Sequence, residues 1–198
     1  MPAPPPSVAT IATVPAPVAD SVRLALSSEA GRVAVLQRRS WERQGEAGAA
    51  ALAVVDLETM TREWTMAITR PPLAQCRVLV AVDADGPVGF ATTQPGTDAD
   101  AEPGVDGEVG EFVVDAPAVG RGHGSRLLNA CVDTLRADGF TRATRWLGAG
   151  DDGMRAFLVS AGWAPDGAHR ELGTEDGVTR LRQVRLHTDI TAAPEDAR

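Results

Sequence analysis

Between a strand-like and a helix-like stretch, Gly120, Gly122 and Gly124 alternate with Arg121 and His123 and lead into Ser125 and Arg126. Three missing Cβ atoms let backbone N–H groups approach a ligand closely, and the positive end of the helix that follows favours an anion. The chemistry predicted there is the holding of a phosphate or pyrophosphate. Two phosphate-loop patterns fail on these residues: Ser125 and Arg126 follow Gly124 where a P-loop needs Lys and then Ser or Thr, and a dinucleotide fingerprint would need glycine at 125 or 127, where Ser and Leu stand. A flexible glycine turn with no ligand is the plainer reading of the three glycines taken alone.

Two segments together favour a ligand. The run V119-G-R-G-H-G124 resembles the acyl-CoA pyrophosphate loop of the GNAT superfamily of N-acyltransferases, Q/R-x-x-G-x-G/A, except that Val119 stands where Gln or Arg is usual. Downstream, D151-D-G-M-R-A-F-L-V-S-A-G-W163 resembles the family segment N-x-x-A-x-x-F-Y-x-x-x-G-F, with Asp151 for Asn, Met154 for Ala and Leu158 for Tyr. The resemblance spans most of residues 21–188 and is strongest over 108–163. It implies a V-shaped opening between strands at 108–114 and 141–147 that admits acetyl-CoA as cosubstrate. Backbone at Val113 and Val114 would pair with the pantetheine amides, and Gly120, Gly122, Gly124 and Ser125 would cradle the pyrophosphate. Arg121, His123 and Arg126 would add phosphate contacts, and Asp151 and Phe157 complete the implied cofactor-binding set.

Acetyl transfer to an amine needs a neutral nucleophile and a stabilised leaving thiolate, so a base, an acid or their equivalents are required. The resemblance makes Glu108 the leading base, since it occupies the strand position at which several GNAT branches carry a catalytic glutamate. Glu111 is the second candidate, placed by simple strand alternation on the opposite face. The family's usual acid is a tyrosine, and this chain contains none. Water, Ser160 or an unassisted thiolate would then have to serve. The implied activity is N-acetyl transfer from acetyl-CoA to a primary amine of a small molecule or protein; the alternative is a non-catalytic acyl-CoA-binding or interaction module. No metal-binding constellation is apparent.

Local patterns predict the elements that must position these residues. Residues 1–20 are rich in Pro and Ala without periodicity and read as a disordered tail. A strand at 21–26 precedes a helix at 29–39, and an Ala/Gly-rich connection at 45–53 leads to a helix that Asp56 caps and Pro71-Pro72 ends. Trp41, Met60 and Trp64 read as core residues. Strands at 77–82 and 88–92 form a hairpin. Residues 95–107, with Asp98, Asp100, Glu102 and Asp106, read as a mobile acidic connection to the strand at 108–114. Then follow a helix from Ser125 to Asp138, a strand at 141–147, a helix at 151–161 and strands at 168–172 and 178–187. Arg180, Arg182 and Arg185 read as a solvent or dimer face, and 189–198 as a polar tail. The order gives a single α+β domain at 21–188, which the resemblance makes a GNAT-like mixed, largely antiparallel twisted sheet flanked by helices.

Composition bounds the rest. A 198-residue chain with 43% hydrophobic residues supports one core. A net charge of −8 argues against a general nucleic-acid or anionic-membrane partner and favours cationic or neutral substrates. Cys76 and Cys131 read as packing thiols in a reducing compartment, and the absence of a signal-like start makes a cytoplasmic location the expectation. A homodimer is expected from the resemblance alone.

Overall fold

Strand Arg77–Asp83 (β2) is apolar at nearly every position because both its faces are covered, and its alternation sorts the core into two layers. Leu79 and Ala81 pack with Val109, Leu127 and Leu135 on one side of the sheet. Val78, Val80 and Val82 pack with Val33, Leu36 and Trp64 on the other. The computed structural model describes residues 21–173 and 180–191. The predicted tail at 1–20, residues 174–179 with the start of the strand predicted at 178–187, and residues 192–198 of the predicted polar tail lie outside them.

The remaining elements are β1 (Ser21–Leu24), α1 (Ala30–Trp41), α2 (Gly45–Val54), α3 (Leu57–Thr69), β3 (Gly86–Pro95), β4 (Asp106–Val114), α4 (His123–Ala137), β5 (Arg142–Gly148), α5 (Asp152–Ser160), β6 (Ala164–Gly173) and β7 (Arg180–Asp189). The seven strands form one sheet in the order β1-β2-β3-β4-β5-β7-β6. Every pairing is antiparallel except β4 with β5. The domain is therefore α+β, with α1 and α3 on one face of a largely antiparallel sheet and α4 and α5 on the other.

Several elements differ from the sequence reading for identifiable reasons. The stretch read as a connection is helix α2: its alanines favour helix, but it lacks an apolar stripe that would announce one. Gly48 lets α2 press against the end of α1, where a Cβ would run into the Trp41 carbonyl. The acidic connection is not loose. Asp98 accepts hydrogen bonds from Trp146 Nε1 (2.8 Å) and Arg185 Nη1 (3.1 Å), and Asp100 accepts two from Arg185 at 2.8 and 2.6 Å. Arg185, only 11% exposed, is accordingly the hub of this network and not part of a solvent face. Strand β6 begins at Ala164, ahead of an irregularity between Pro165 and His169, and Ile190 beyond β7 is buried in the core.

Candidate active site

The site begins where β4 and β5 part. Their parallel ladder holds Asp106 to Arg142, Gly107 to Ala143 and Glu108 to Thr144, and ends there. At the same level, β4 carries one extra residue against β3: Thr93 faces Val109 and Ala91 faces Phe112, leaving Gly110 and Glu111 opposite Thr92. This bulge resets the alternation. Val109 and Phe112 both enter the α4/α5 core, while Glu108 and Glu111 both line one cavity, contrary to the opposite faces predicted. Gly110 is needed at the bulge, since a Cβ would lie 2.6 Å from Thr92 Oγ1, and that hydroxyl in turn accepts a hydrogen bond from the Glu111 N–H at 2.9 Å.

Two cavities open from the splay. One, about 680 Å³, runs along Phe112, Val113 and Val114 to Gly120, Gly122, Gly124 and Ser125, with Met154 and Phe157 on its α5 side. The other, about 1190 Å³, is walled by Trp41, Gln94, Glu108, Trp146, Arg170 and Gln183 among others. Both are lined by Ser40, Arg43, Gln44, Glu111, Arg145 and Asp151, so these six residues mark their junction.

The glycine loop is held from both sides. Asp115 is buried, accepts from Arg39 Nη1 at 2.7 Å and so ties α1 to the turn that precedes the loop. Gly122 takes φ of +82° at the start of α4, a conformation that side chains with a Cβ resist. Gly120, Gly122, Gly124, Ser125, Val113, Val114, Asp151 and Phe157 are brought together around the smaller cavity. Arg121, His123 and Arg126 are not in its lining. Arg121 lies 3.7 Å from Asp83, and His123 is buried at 1% exposure with its Nδ1 3.4 Å from Arg126 Nη2. Gly124 leaves space: a Cβ there would meet only Phe157 at 3.7 Å and other atoms farther off.

Both glutamates are harder to ionise than an exposed carboxyl. Burial raises the Glu108 pKa, with repulsion from Asp98 adding to it and a hydrogen bond from Gln94 opposing it. Burial likewise raises that of Glu111, against the attraction of Arg145. A base with raised affinity for protons matches an amine better than an ordinary carboxylate does. Arg145 joins the candidate site without a motif in the sequence to single it out. Its Nη1 donates to the Val109 carbonyl at 3.0 Å and to that of Gly110, and its guanidinium lies 5.4 Å from the Phe112 ring centroid. The available signal was an arginine alternating with Ala143 and Leu147, both core residues.

Over residues 39–163 the sequence matches the family model described as the acetyltransferase (GNAT) family. The chain belongs to the GNAT family. No curated relative matches it in sequence. Among solved structures it is similar to a ribosomal-protein-alanine N-acetyltransferase from Brucella melitensis, at 21% identity and TM-score 0.65 over 85% of this chain and 98% of that one. It is also similar to yncA from Salmonella typhimurium, solved with its cofactor acetyl-CoA, at 17% identity and TM-score 0.65 over 90% and 99%. An N-acetyltransferase from Staphylococcus aureus Mu50 gives 17% identity and TM-score 0.66 over 86% and 98%. These likenesses concern the fold.

Against the GNAT pattern, two departures have structural consequences. Val119 is 67% exposed at the rim of the smaller cavity, so the usual polar side chain is missing from a position open to ligand. Leu158 is fully buried in the α4/α5 core and lines neither cavity. Ser160 donates to the Phe157 carbonyl at 2.7 Å and is likewise absent from both linings. Among the described residues, no group of three or more His, Cys, Asp or Glu side chains is placed to hold a metal ion, and no helix is long and apolar enough to cross a membrane.

Proposed function

We propose that this GNAT protein transfers an acetyl group from acetyl-CoA to a primary amine by direct attack. The observation that carries the reading is the meeting of a glycine-lined cavity with a carboxylate-lined one at the β4 bulge. The smaller cavity suits the cosubstrate: backbone of Val113 and Val114 faces the pantetheine arm, and the loop from Gly120 to Ser125 faces the pyrophosphate. The thioester then lies at the junction, and the amine enters through the larger cavity. Glu108 accepts the ammonium proton, directly or through water, with Glu111 as the neighbouring carboxylate.

Local charge refines the acceptor. Although the chain carries −8 overall, the larger cavity is lined by Arg43, Arg145, Arg170, Arg180 and Arg182 against Glu108, Glu111 and Asp151. Arg170 is paired with Asp98, and Arg180 and Arg182 share Glu171, so those charges are largely answered; Arg43, which has no ion pair among the described residues, favours an amine that also bears a carboxylate or similar anion, its amino end toward the glutamates. Thioester consumption measured with a panel of amino-carboxylates, polyamines and aminoglycoside-like amines tests this. Turnover with the first group is expected to exceed that with the others. Acetyl-CoA binding without turnover of any amine or protein amino group would instead support a non-catalytic acyl-CoA-binding module.

A further inference from the structure

We propose that the Arg145 guanidinium stabilises the departing CoA thiolate, and the oxyanion that precedes it, in place of a proton-donating acid. The inference rests on the acetyl-transfer reading and concerns how the leaving group departs in a chain without tyrosine. Arg145 is 8% exposed and lines both cavities, so the little surface it keeps faces their junction. Of its five N–H donors, those of Nη1 go to the Val109 and Gly110 carbonyls, just past the last β4–β5 pair. Among the described residues, Nε has no hydrogen-bond partner but is shut off from solvent, and no bond occupies Nη2, which is the donor left to meet a ligand.

No carboxylate neutralises this guanidinium within ion-pair distance among the described residues. Burial disfavours its charge, and Glu111, Asp151 and Glu108 support it from farther away. A desolvated cation with a spare donor at Nη2 is placed to answer negative charge that appears only as the reaction proceeds. The amine nitrogen attacks the thioester carbonyl carbon and forms the C–N bond, and the carbonyl electrons move to oxygen. Collapse breaks the C–S bond, and the electron pair leaves on sulfur as a thiolate beside the guanidinium. The proton lost by nitrogen passes to Glu108 or to water. Arg145 gives up no proton, because a guanidinium stays protonated.

A role confined to bracing the splay would leave the CoA thiol untouched, so the bound thiol is the readout. CoA bound to the full chain is titrated by thiolate absorbance in the ultraviolet, with desulfo-CoA-saturated protein as the blank to remove Cys76 and Cys131. The bound thiol is expected to ionise about one pH unit or more below free CoA. In Arg145→Gln it should return close to the free value, and in Arg145→Lys part of the shift should remain. Arg145→Gln should lower kcat on the order of 10²- to 10³-fold with KM for acetyl-CoA little changed. Should the glutamine variant fail to fold, the wild-type titration and Arg145→Lys decide the matter. An unshifted thiol in wild-type protein that binds CoA overturns the role of Arg145 and leaves acetyl transfer standing, as does a shift that Arg145→Gln or, in its place, Arg145→Lys leaves unchanged. Failure to bind CoA at all would remove the parent reading with it.

Discussion

Arg142 and Arg145 stand on the same short strand and meet opposite ends of the β4–β5 pair, and their partners could hardly differ more. At the closed end, Arg142 grips Asp106 through Nε and Nη2, and the carboxylate, only 4% exposed, also accepts the Glu102 N–H at 2.8 Å. Each group is held in its charged form: the Arg142 pKa rises and the Asp106 pKa falls, chiefly through that hydrogen bond. At the open end, Arg145 has two carbonyls in place of a carboxylate, and burial lowers its pKa. The first arrangement contributes to stability. The second leaves a buried charge without a carboxylate partner among the described residues, which on the proposed mechanism keeps it available where the reaction generates negative charge.

Substitutions at the two ends and along the adjoining loop should separate these roles. The largest expected effect is at the anion site: Gly122→Val places a β-branched residue at φ of +82° and should weaken CoA binding by a factor on the order of 10² or more, seen as loss of most CoA-induced thermal stabilisation. Next comes the closed end. Asp106→Asn breaks a pair whose arginine is 41% exposed, so the cost at neutral pH should be about 1 to 3 kcal/mol, discounted for that exposure. Because the folded-state pKa of Asp106 is depressed, its contribution is present above about pH 4 and is lost as pH falls through the folded value, so wild type and variant should converge in acid.

The open end should show the opposite sign. The Glu108 pKa is raised on folding, so the penalty of ionising it is absent below about pH 4 and grows as pH rises through the folded value. Glu108→Gln should therefore raise Tm at neutral pH, with no gain in acid. Equal Tm differences for Asp106→Asn and Glu108→Gln at every pH would erase the contrast between the two ends. The smallest effect is expected from Val119→Arg, which restores a donor at an exposed rim position and should tighten CoA binding severalfold by calorimetry.

What the sequence made legible was local. The glycine loop, its preceding strand and the helix after it follow from spacing within about thirty residues, and the structure gathers most of the proposed cofactor residues on one cavity. The bulge was illegible because it exists only in the pairing of β4 with β3: alternation along β4 alone separates Glu108 from Glu111, and one unpaired residue reunites them. The acidic connection looks mobile in sequence because Arg170 and Arg185, which hold Asp98, stand far along the chain. Arg145 is inconspicuous in the sequence for the same reason, since its partners are backbone carbonyls of Val109 and Gly110 on another strand.

The central claim is base-assisted acetyl transfer at the β4 bulge, and the pH–rate profile of wild type and Glu108→Gln with one accepted amine tests it most directly. In the wild type, kcat/KM should rise with a pKa above that of an exposed glutamate, because burial raises the Glu108 pKa. Glu108→Gln should lose kcat by a factor on the order of 10² to 10⁴ at neutral pH with acetyl-CoA affinity nearly unchanged. The deficit should narrow as pH rises and more of the amine is already neutral. A wild-type profile retained by Glu108→Gln across the range would contradict the claim and pass the role of base to Glu111 or to water.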